Sequence, residues 1–216
     1  MTMRKRVLLE PSLDIPLPKS FYQRPAALVA WDLLGKRITN ETPDGLVGGI
    51  IVETEAYLGK NDLACHVSRG LTPRNRIFYD SPAGTVYVFH LRGHYLVNVL
   101  TSNNEPLECV LIRAVEPTIG IEAMRQRRQA DDENLTNGPA KLTKALGITK
   151  QANGSYITDG PVRIFDSDTI GFKRGVSPRI GISKDKDYPL RYFLVGNRFV
   201  SRTSKIHSGM SCEYSQ

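Results

Sequence analysis

Residues 45–59 read GLVGGIIVETEAYLG. The run is rich in β-branched residues, contains no proline and closes on a glycine, which is the composition of a strand. Side chains alternate along a regular strand, so Ile51, Glu53, Glu55 and Tyr57 are expected on one face and Ile50, Val52, Thr54 and Ala56 on the other. Two more strong strands follow outward. In PAGTVYVFHL (82–91), Tyr87, Phe89 and Leu91 share a face and Val86, Val88 and His90 the opposite one. ECVLIRAVEP (108–117) is almost continuously apolar, with one charge, Arg113, inside it. GPVRIF (160–165), SPRIGIS (177–183) and LRYFLVGNRFVS (190–201) complete the expected strands.

Helical patterns are fewer. RPAALVAWDLLGK (24–36) places Pro25 in a first turn, Ala26, Val29, Ala30, Leu33 and Leu34 on one face, and Gly35 at the end. IGIEAMRQRRQA (119–130) is a second helix, and its MRQRR run reads as a solvated face or a phosphate-contacting one. NGPAKLTKALG (137–147) is a third, with Asn137 as N-cap. Strands in runs, broken by a few helices without βα alternation, predict an α+β fold: a single domain built on a curved, largely antiparallel β-sheet flanked by helices. The domain is expected over 20–202, after a basic extended arm (1–19) broken by prolines and before a polar flexible tail (203–216).

The chain has 216 residues, of which 40% are hydrophobic and 24% charged, enough to bury a sizeable core. No run of about 18 apolar residues offers a membrane span, and the N-terminal apolar stretch is too short for a secretory signal. No membrane association and an intracellular location are the expectation: cytoplasmic in a bacterium, nuclear in a eukaryote. The formal charge of +7 favours a polyanionic partner, because each Lys or Arg that neutralises a phosphate releases counterions. Cys65, Cys109 and Cys212 form no CxxC pair and are read as buried or idle thiols. His66 and His94 belong to no metal-binding motif, and no phosphate-cradling glycine motif is present, so neither a metal nor a cofactor is expected.

Three features combine polar groups with strand positions: the pair Glu53 and Glu55, the isolated Arg113, and the aromatics Tyr57, Tyr87 and Phe89. Alternating carboxylates commonly mark the solvated face of a strand. A tyrosine on the same face as two glutamates is also what a site needs to hold a flat ring beside a base. Arg113 is either an edge charge or a buried cation that requires a carboxylate or ligand oxygen. Tyr87 and Phe89 are core residues or a stacking platform.

The motifs PLPKSFYQRPAALVAWDLLGK (16–36), IVETEAYLGKNDLACH (51–66), TPRN (72–75), AGTVYV (83–88), VLIRAVEP (110–117), NGPAKLTKALGI (137–148), SPRIGI (177–182) and PLRYFLVGNRFVS (189–201) resemble, in order and spacing, the alkyladenine DNA glycosylase family, also called 3-methyladenine or methylpurine DNA glycosylases, of the mammalian type. The resemblance spans about Ser20 to Arg202. It implies a monomeric, monofunctional base-excision enzyme that acts on double-stranded DNA containing a damaged purine and leaves an abasic site. Alkylated or deaminated purines (3-methyladenine, 7-methylguanine, hypoxanthine, ethenoadenine) are the implied lesions. Glu55 is the implied general base, and Arg113 and a backbone carbonyl, that of Leu194, help hold the water. The base is implied to stack between Tyr57 and Phe89, where Phe89 lacks the family's tyrosine hydroxyl. His66 is implied to donate to the base and Asn98 to discriminate against guanine. The wedge that fills the gap in the duplex falls in FHLRGHYLVN (89–98), where the chain departs from the family pattern; Leu91, Arg92 and His94 are candidates, an apolar wedge pointing to Leu91. A Schiff base at Lys141, in NGPAKL, is the alternative to water. The competing readings are a non-catalytic nucleic-acid-binding protein on the same fold and a glycosidase acting on a free nucleoside or sugar.

Overall fold

The β-branched run forms β2 (Gly45–Tyr57), the longest strand in the computed structural model of the chain, which describes residues 15–102, 105–167 and 171–201. Around it lie β1 (Arg37–Thr42), β3 (Val86–Leu91), β4 (His94–Thr101), β5 (Glu108–Ile119), β6 (Val162–Phe165), β7 (Arg174–Ser177) and β8 (Arg191–Leu194). The sheet runs β3-β4-β5-β2-β1-β6, with β8 on β2 and β7 on β8, and every pairing is antiparallel. Helices α1 (Lys19–Tyr22), α2 (Ala26–Asp32), α3 (Ile77–Asp80), α4 (Ile121–Arg128) and α5 (Pro139–Ala145) flank it, in one α+β domain. Among the described residues no helix is long and apolar enough to cross a membrane.

The length of β2 lets one edge serve two partners. Its first half pairs with β1, from Thr42 opposite Gly45 to Arg37 opposite Ile50. Its second half pairs with β8, Glu53 opposite Phe193 and Glu55 opposite Arg191. On the other edge β5 runs past both halves. The glutamates therefore sit on an interior strand, enclosed on both sides.

The expected alternation fails at one point. Ile51 faces Val115, Glu53 faces Ala114, and Thr54 faces Ile112. Val52 on β2 and Arg113 on β5 are thus each one residue in excess, forming compensating bulges. A bulge bends its strand and re-aims side chains. Ile51 consequently joins Val52 in the main apolar core and not the face of Glu53, Glu55 and Tyr57. Arg113, lifted out of the ladder register, reaches both glutamates.

The main core packs one face of the sheet against α2, where Ala26, Val29, Ala30, Leu33 and Leu34 are buried as their spacing predicts. Each fully buried Val or Leu contributes about 1.5–3 kcal/mol. Thr54 points to this side and donates to the Ala30 carbonyl. A second cluster gathers Tyr87, Phe89, Leu100 and Cys109 with Cys65, Val67 and Phe78. The alternation in β3 separates the two, Val86 and Val88 in the first and Tyr87 and Phe89 in the second.

Three local expectations need correction. SPRIGIS is not a strand: β7 ends at Ser177, and Pro178, which has no N–H to offer a ladder, opens a loop. Asn137 does not cap α5; Gly138 occupies that position, and the Asn137 side chain bonds Asn134 and Lys141 instead. β8 covers only Arg191–Leu194 of the longer run expected there. The arginines of the MRQRR run keep their surface position, Arg125 pairing with Glu122 and Asp132 and Arg127 with Asp44. Of the arm and tail, residues 1–14 and 202–216 lie outside the described residues, while Pro16 bridges to Phe165 and Leu17 is buried.

Candidate active site

On the β2 face opposite α2, three side chains come together from two bulged strands: Glu53, Glu55 and Arg113. All are buried. Glu53 accepts hydrogen bonds from Arg113 Nε (2.9 Å), Arg191 Nε (2.6 Å), and the Ser201 amide and hydroxyl (both 2.7 Å). Burial by itself would raise its pKa, but the two guanidiniums and these hydrogen bonds outweigh it and hold the carboxyl below the usual carboxylate range. These donors come from β5, β8 and the segment after β8, so Glu53 ties β2 to all three.

Glu55 is held differently. Its Oε1 accepts from the Ile180 amide at 2.8 Å and lies 3.2 Å from Arg113 Nη1, and its Oε2 accepts from the Tyr57 hydroxyl at 2.9 Å. Burial, and then the charge and hydrogen bond of Glu55, push the Tyr57 phenol well above its ordinary pKa, so Tyr57 stays protonated as the donor. The Arg179 guanidinium lies over the Tyr57 ring, 4.6 Å from its centroid. The same guanidinium donates to the Ala56 carbonyl and to both oxygens of Asp62, which also accepts the amides of Leu58 and Ala64. Arg179 and Asp62 thereby fix the loop after β2 against the one after β7. Gly59 in that loop is required: its φ is +78°, and a Cβ there would fall 1.6 Å from the Pro106 carbonyl oxygen.

Beside Tyr57 opens a cavity of about 530 Å³. Tyr57, His66, Phe89, Leu91, Arg92, Asn98 and Arg113 all line it, and so does Ile180. Glu55 stands just behind, reached through Tyr57, Arg113 and Ile180. His66 and Phe89 pack together with centroids 4.1 Å apart and ring planes tilted by 40°. His66 Nδ1 is 3.0 Å from the Tyr87 hydroxyl. His66 as a residue is exposed, but desolvation of its imidazole, followed by the charges of Arg74 and Arg69, pushes its pKa down to about 4, so it is neutral at physiological pH. Asn98 is buried, its amide donating to the carbonyls of Tyr87 and Leu96. Leu91, Arg92 and His94 lie at the exposed tip of the β3–β4 hairpin. The tip is a two-residue turn, with Leu91 paired to His94 and positive φ at Arg92 (49°) and Gly93 (83°).

The carbonyl of Leu194, implied by the resemblance to help hold the water, stands at the end of β8. Leu194 pairs with Arg174, one position beyond the Glu53–Phe193 pair, and its carbonyl accepts from the Asn197 amide. The backbone that meets Glu55 is that of Ile180. Sequence reasoning also missed Arg179, Asp62, Arg191 and Ser201. A lone arginine inside the apolar run SPRIGI was the available signal for Arg179, of the same kind that singled out Arg113. Among the described residues, no group of three or more His, Cys, Asp or Glu side chains is placed to hold a metal.

Comparison with known proteins gives a consistent picture. The profile of the family described as Methylpurine-DNA glycosylase (MPG) matches residues 20–198. A protein of Prosthecochloris aestuarii is 43% identical over 192 residues, covering 87% of this chain and 92% of its own. One from Methanoculleus marisnigri is 43% identical over 192 residues (86% and 98%), and one from Bacillus subtilis 42% over 192 (87% and 97%). All three carry the name "Putative 3-methyladenine DNA glycosylase".

Proposed function

The chain belongs to the methylpurine-DNA glycosylase family and is a DNA glycosylase, a hydrolase of N-glycosyl bonds with DNA as its substrate; from that premise we propose that it flips an alkylated or deaminated purine into the Tyr57–Phe89 cavity and hydrolyses its bond to deoxyribose with water activated by Glu55. The observation that carries this reading is the placement of a buried, arginine-held carboxylate directly behind an aromatic-lined cavity.

A target atom inside a duplex is out of reach, and a damaged base is easier to unstack, so extrusion itself favours lesions. Tyr57, His66 and Phe89 supply ring faces, and stacking is worth about 1–3 kcal/mol per base contact. A cationic alkylpurine gains further attraction to those faces. With the Tyr87 hydroxyl as donor to His66 Nδ1, the one of the two possible directions this mechanism requires, the neutral ring carries its proton on Nε2 and can give it to the base. Asn98, which lines the cavity, is the residue assigned in this reading to exclude guanine's exocyclic amine.

Attack on the anomeric carbon passes through a sugar with cationic character. Each carboxylate oxygen of Glu55 has two lone pairs, so Oε2 can accept from Tyr57 and from a water together. Arg113 has N–H groups left over to hold that water's oxygen. General-base help is worth roughly 10²- to 10⁴-fold, and the Glu55 charge also stabilises the developing cation. Leu91 and Arg92, at the hairpin tip on the cavity mouth, are the proposed wedge. Since water is the nucleophile, the product is an intact abasic site.

The test is incubation with duplex oligonucleotides carrying one hypoxanthine or one 7-methylguanine, followed by alkali. Free base together with strand breaks only after alkali supports the proposal. Breaks before alkali, with borohydride trapping of a protein–DNA adduct, would place an amine such as Lys141 in the chemistry. Binding without release of any base points to the non-catalytic reading.

A further inference from the structure

Cys109 lies in register with Tyr57 across β2 and β5, and with Leu100 across β4 and β5. Cys65 comes back to the same place from the loop after β2. Both residues are 4% exposed, both belong to the second apolar cluster, and both line the cavity beside His66 and Asn98. The two thiols, packed into one cluster and opening on one cavity, lie near enough to perturb one another's ionisation, and neither is in a disulfide. The Cys109 sulfur also lies 4.0 Å from the Asn98 side-chain oxygen. Neither thiol has a part in the hydrolysis described above.

We propose that Cys65 and Cys109 form a dithiol site in the floor of the cavity that captures thiophilic trivalent arsenicals, aryl arsenoxides above all, and that its occupation shuts the cavity to a flipped base. Soft thiolate sulfur prefers soft acceptors, and two adjacent thiols chelate one As(III) where a single thiol holds it loosely. The aryl group fits because the cavity that the thiols open into is walled by Tyr57 and Phe89. With an arsenoxide, two S–H bonds and the arsenic–oxygen bond break and two arsenic–sulfur bonds form. The two thiol protons leave with the oxygen as one water, and arsenic remains trivalent.

The order of attack is built in. The neighbouring Cys109 thiol, acting against burial, lowers the Cys65 pKa, while the neighbouring Cys65 thiol and burial push Cys109 up. Cys65 is therefore the first nucleophile and Cys109 closes the ring. The binding claim stands on the thiol pair alone; the claim of inhibition rests on the cavity being the base pocket.

The experiment uses full-length protein carrying Cys212→Ser, which removes the cysteine outside the described residues, and phenylarsine oxide as probe. Intact mass and thiol titration should show one phenylarsenic bound and both remaining thiols lost, the adduct surviving excess monothiol but not a dithiol. Adding Cys65→Ala or Cys109→Ala should abolish that monothiol-resistant adduct. Excision should fall by at least about tenfold in the adduct relative to untreated protein, as expected for a filled pocket, and return with dithiol. Each variant is compared with its own untreated rate. No adduct, or one equally stable in the single-cysteine variants, overturns the dithiol site. An adduct that leaves excision unchanged overturns the closure. Should the untreated protein release no base, the mass and thiol readouts still decide the site, and the failure belongs to the functional reading.

Discussion

Replacing each glutamate of the Glu-Thr-Glu run by glutamine separates two functions that one strand face holds two residues apart. Glu53→Gln keeps the side chain's size but removes the charge that Arg113 and Arg191 share. Breaking a buried ion pair by removing one partner costs about 3–5 kcal/mol. In a domain of this size each kcal/mol lowers Tm by about 2–4 °C, so a fall of about 6–20 °C is expected. Glu55→Gln should lose much less, because Arg113 keeps Glu53, the Ile180 amide keeps an oxygen acceptor, and the Tyr57 hydroxyl can turn to accept from the new amide. The assay is calorimetric unfolding from pH 7 to pH 3. The pKa of Glu53 is lowered in the folded state, so its contribution is complete above the unfolded glutamate value of about 4.3 and is lost as pH falls through the folded value. The gap between wild type and Glu53→Gln should therefore close below about pH 4. A Glu53→Gln protein within about 2 °C of wild type at pH 7, or a Glu55→Gln protein that is the less stable of the two, would refute this division.

Three further outcomes follow from the site. His66 is held neutral by burial and by Arg74 and Arg69, so its ring resonances should titrate near pH 4; a midpoint at the ordinary value of about 6.5 would remove the neutral donor. Arg179→Lys gives up the two-oxygen grip on Asp62 and the stacking on Tyr57, and stability should fall by about 1.5–3 kcal/mol in denaturant titration, with excision slowed because the Ile180 amide shifts from Glu55. Phe89→Ala removes one stacking surface and should lower excision kcat/KM by roughly five- to 150-fold, the equivalent of about 1–3 kcal/mol; an unchanged value would mean that the ring does not touch the base.

The legible part of the fold was what local pattern determines. β-branched residues marked β2, alternation separated Val86 and Val88 from Tyr87 and Phe89, and the apolar spacing from Ala26 to Leu34 marked the face of α2. What was not legible is set by contacts distant in sequence. The bulges at Val52 and Arg113 exist only as a mismatch between two strands, so no single-strand periodicity reveals that Ile51 leaves the glutamate face. The difference between Glu53 and Glu55 is likewise made elsewhere: Arg191 and Ser201 claim the first, and Ile180 the second. Read alone, ETEAY offers two equivalent carboxylates, and only the family resemblance favoured the second. SPRIGIS misled for a related reason. Its apolar residues face a cavity and its arginine an aspartate more than a hundred positions away, so strand composition reflected site lining.

The central claim is that the Glu55 carboxylate activates water at the damaged nucleotide. Single-turnover excision of hypoxanthine from a duplex oligonucleotide, wild type against Glu55→Gln, tests it most directly when paired with a binding titration on the same duplex. The account predicts that the variant binds as wild type does and releases base at least about 10²-fold more slowly. A variant that binds equally and excises within a few-fold of the wild-type rate would contradict it.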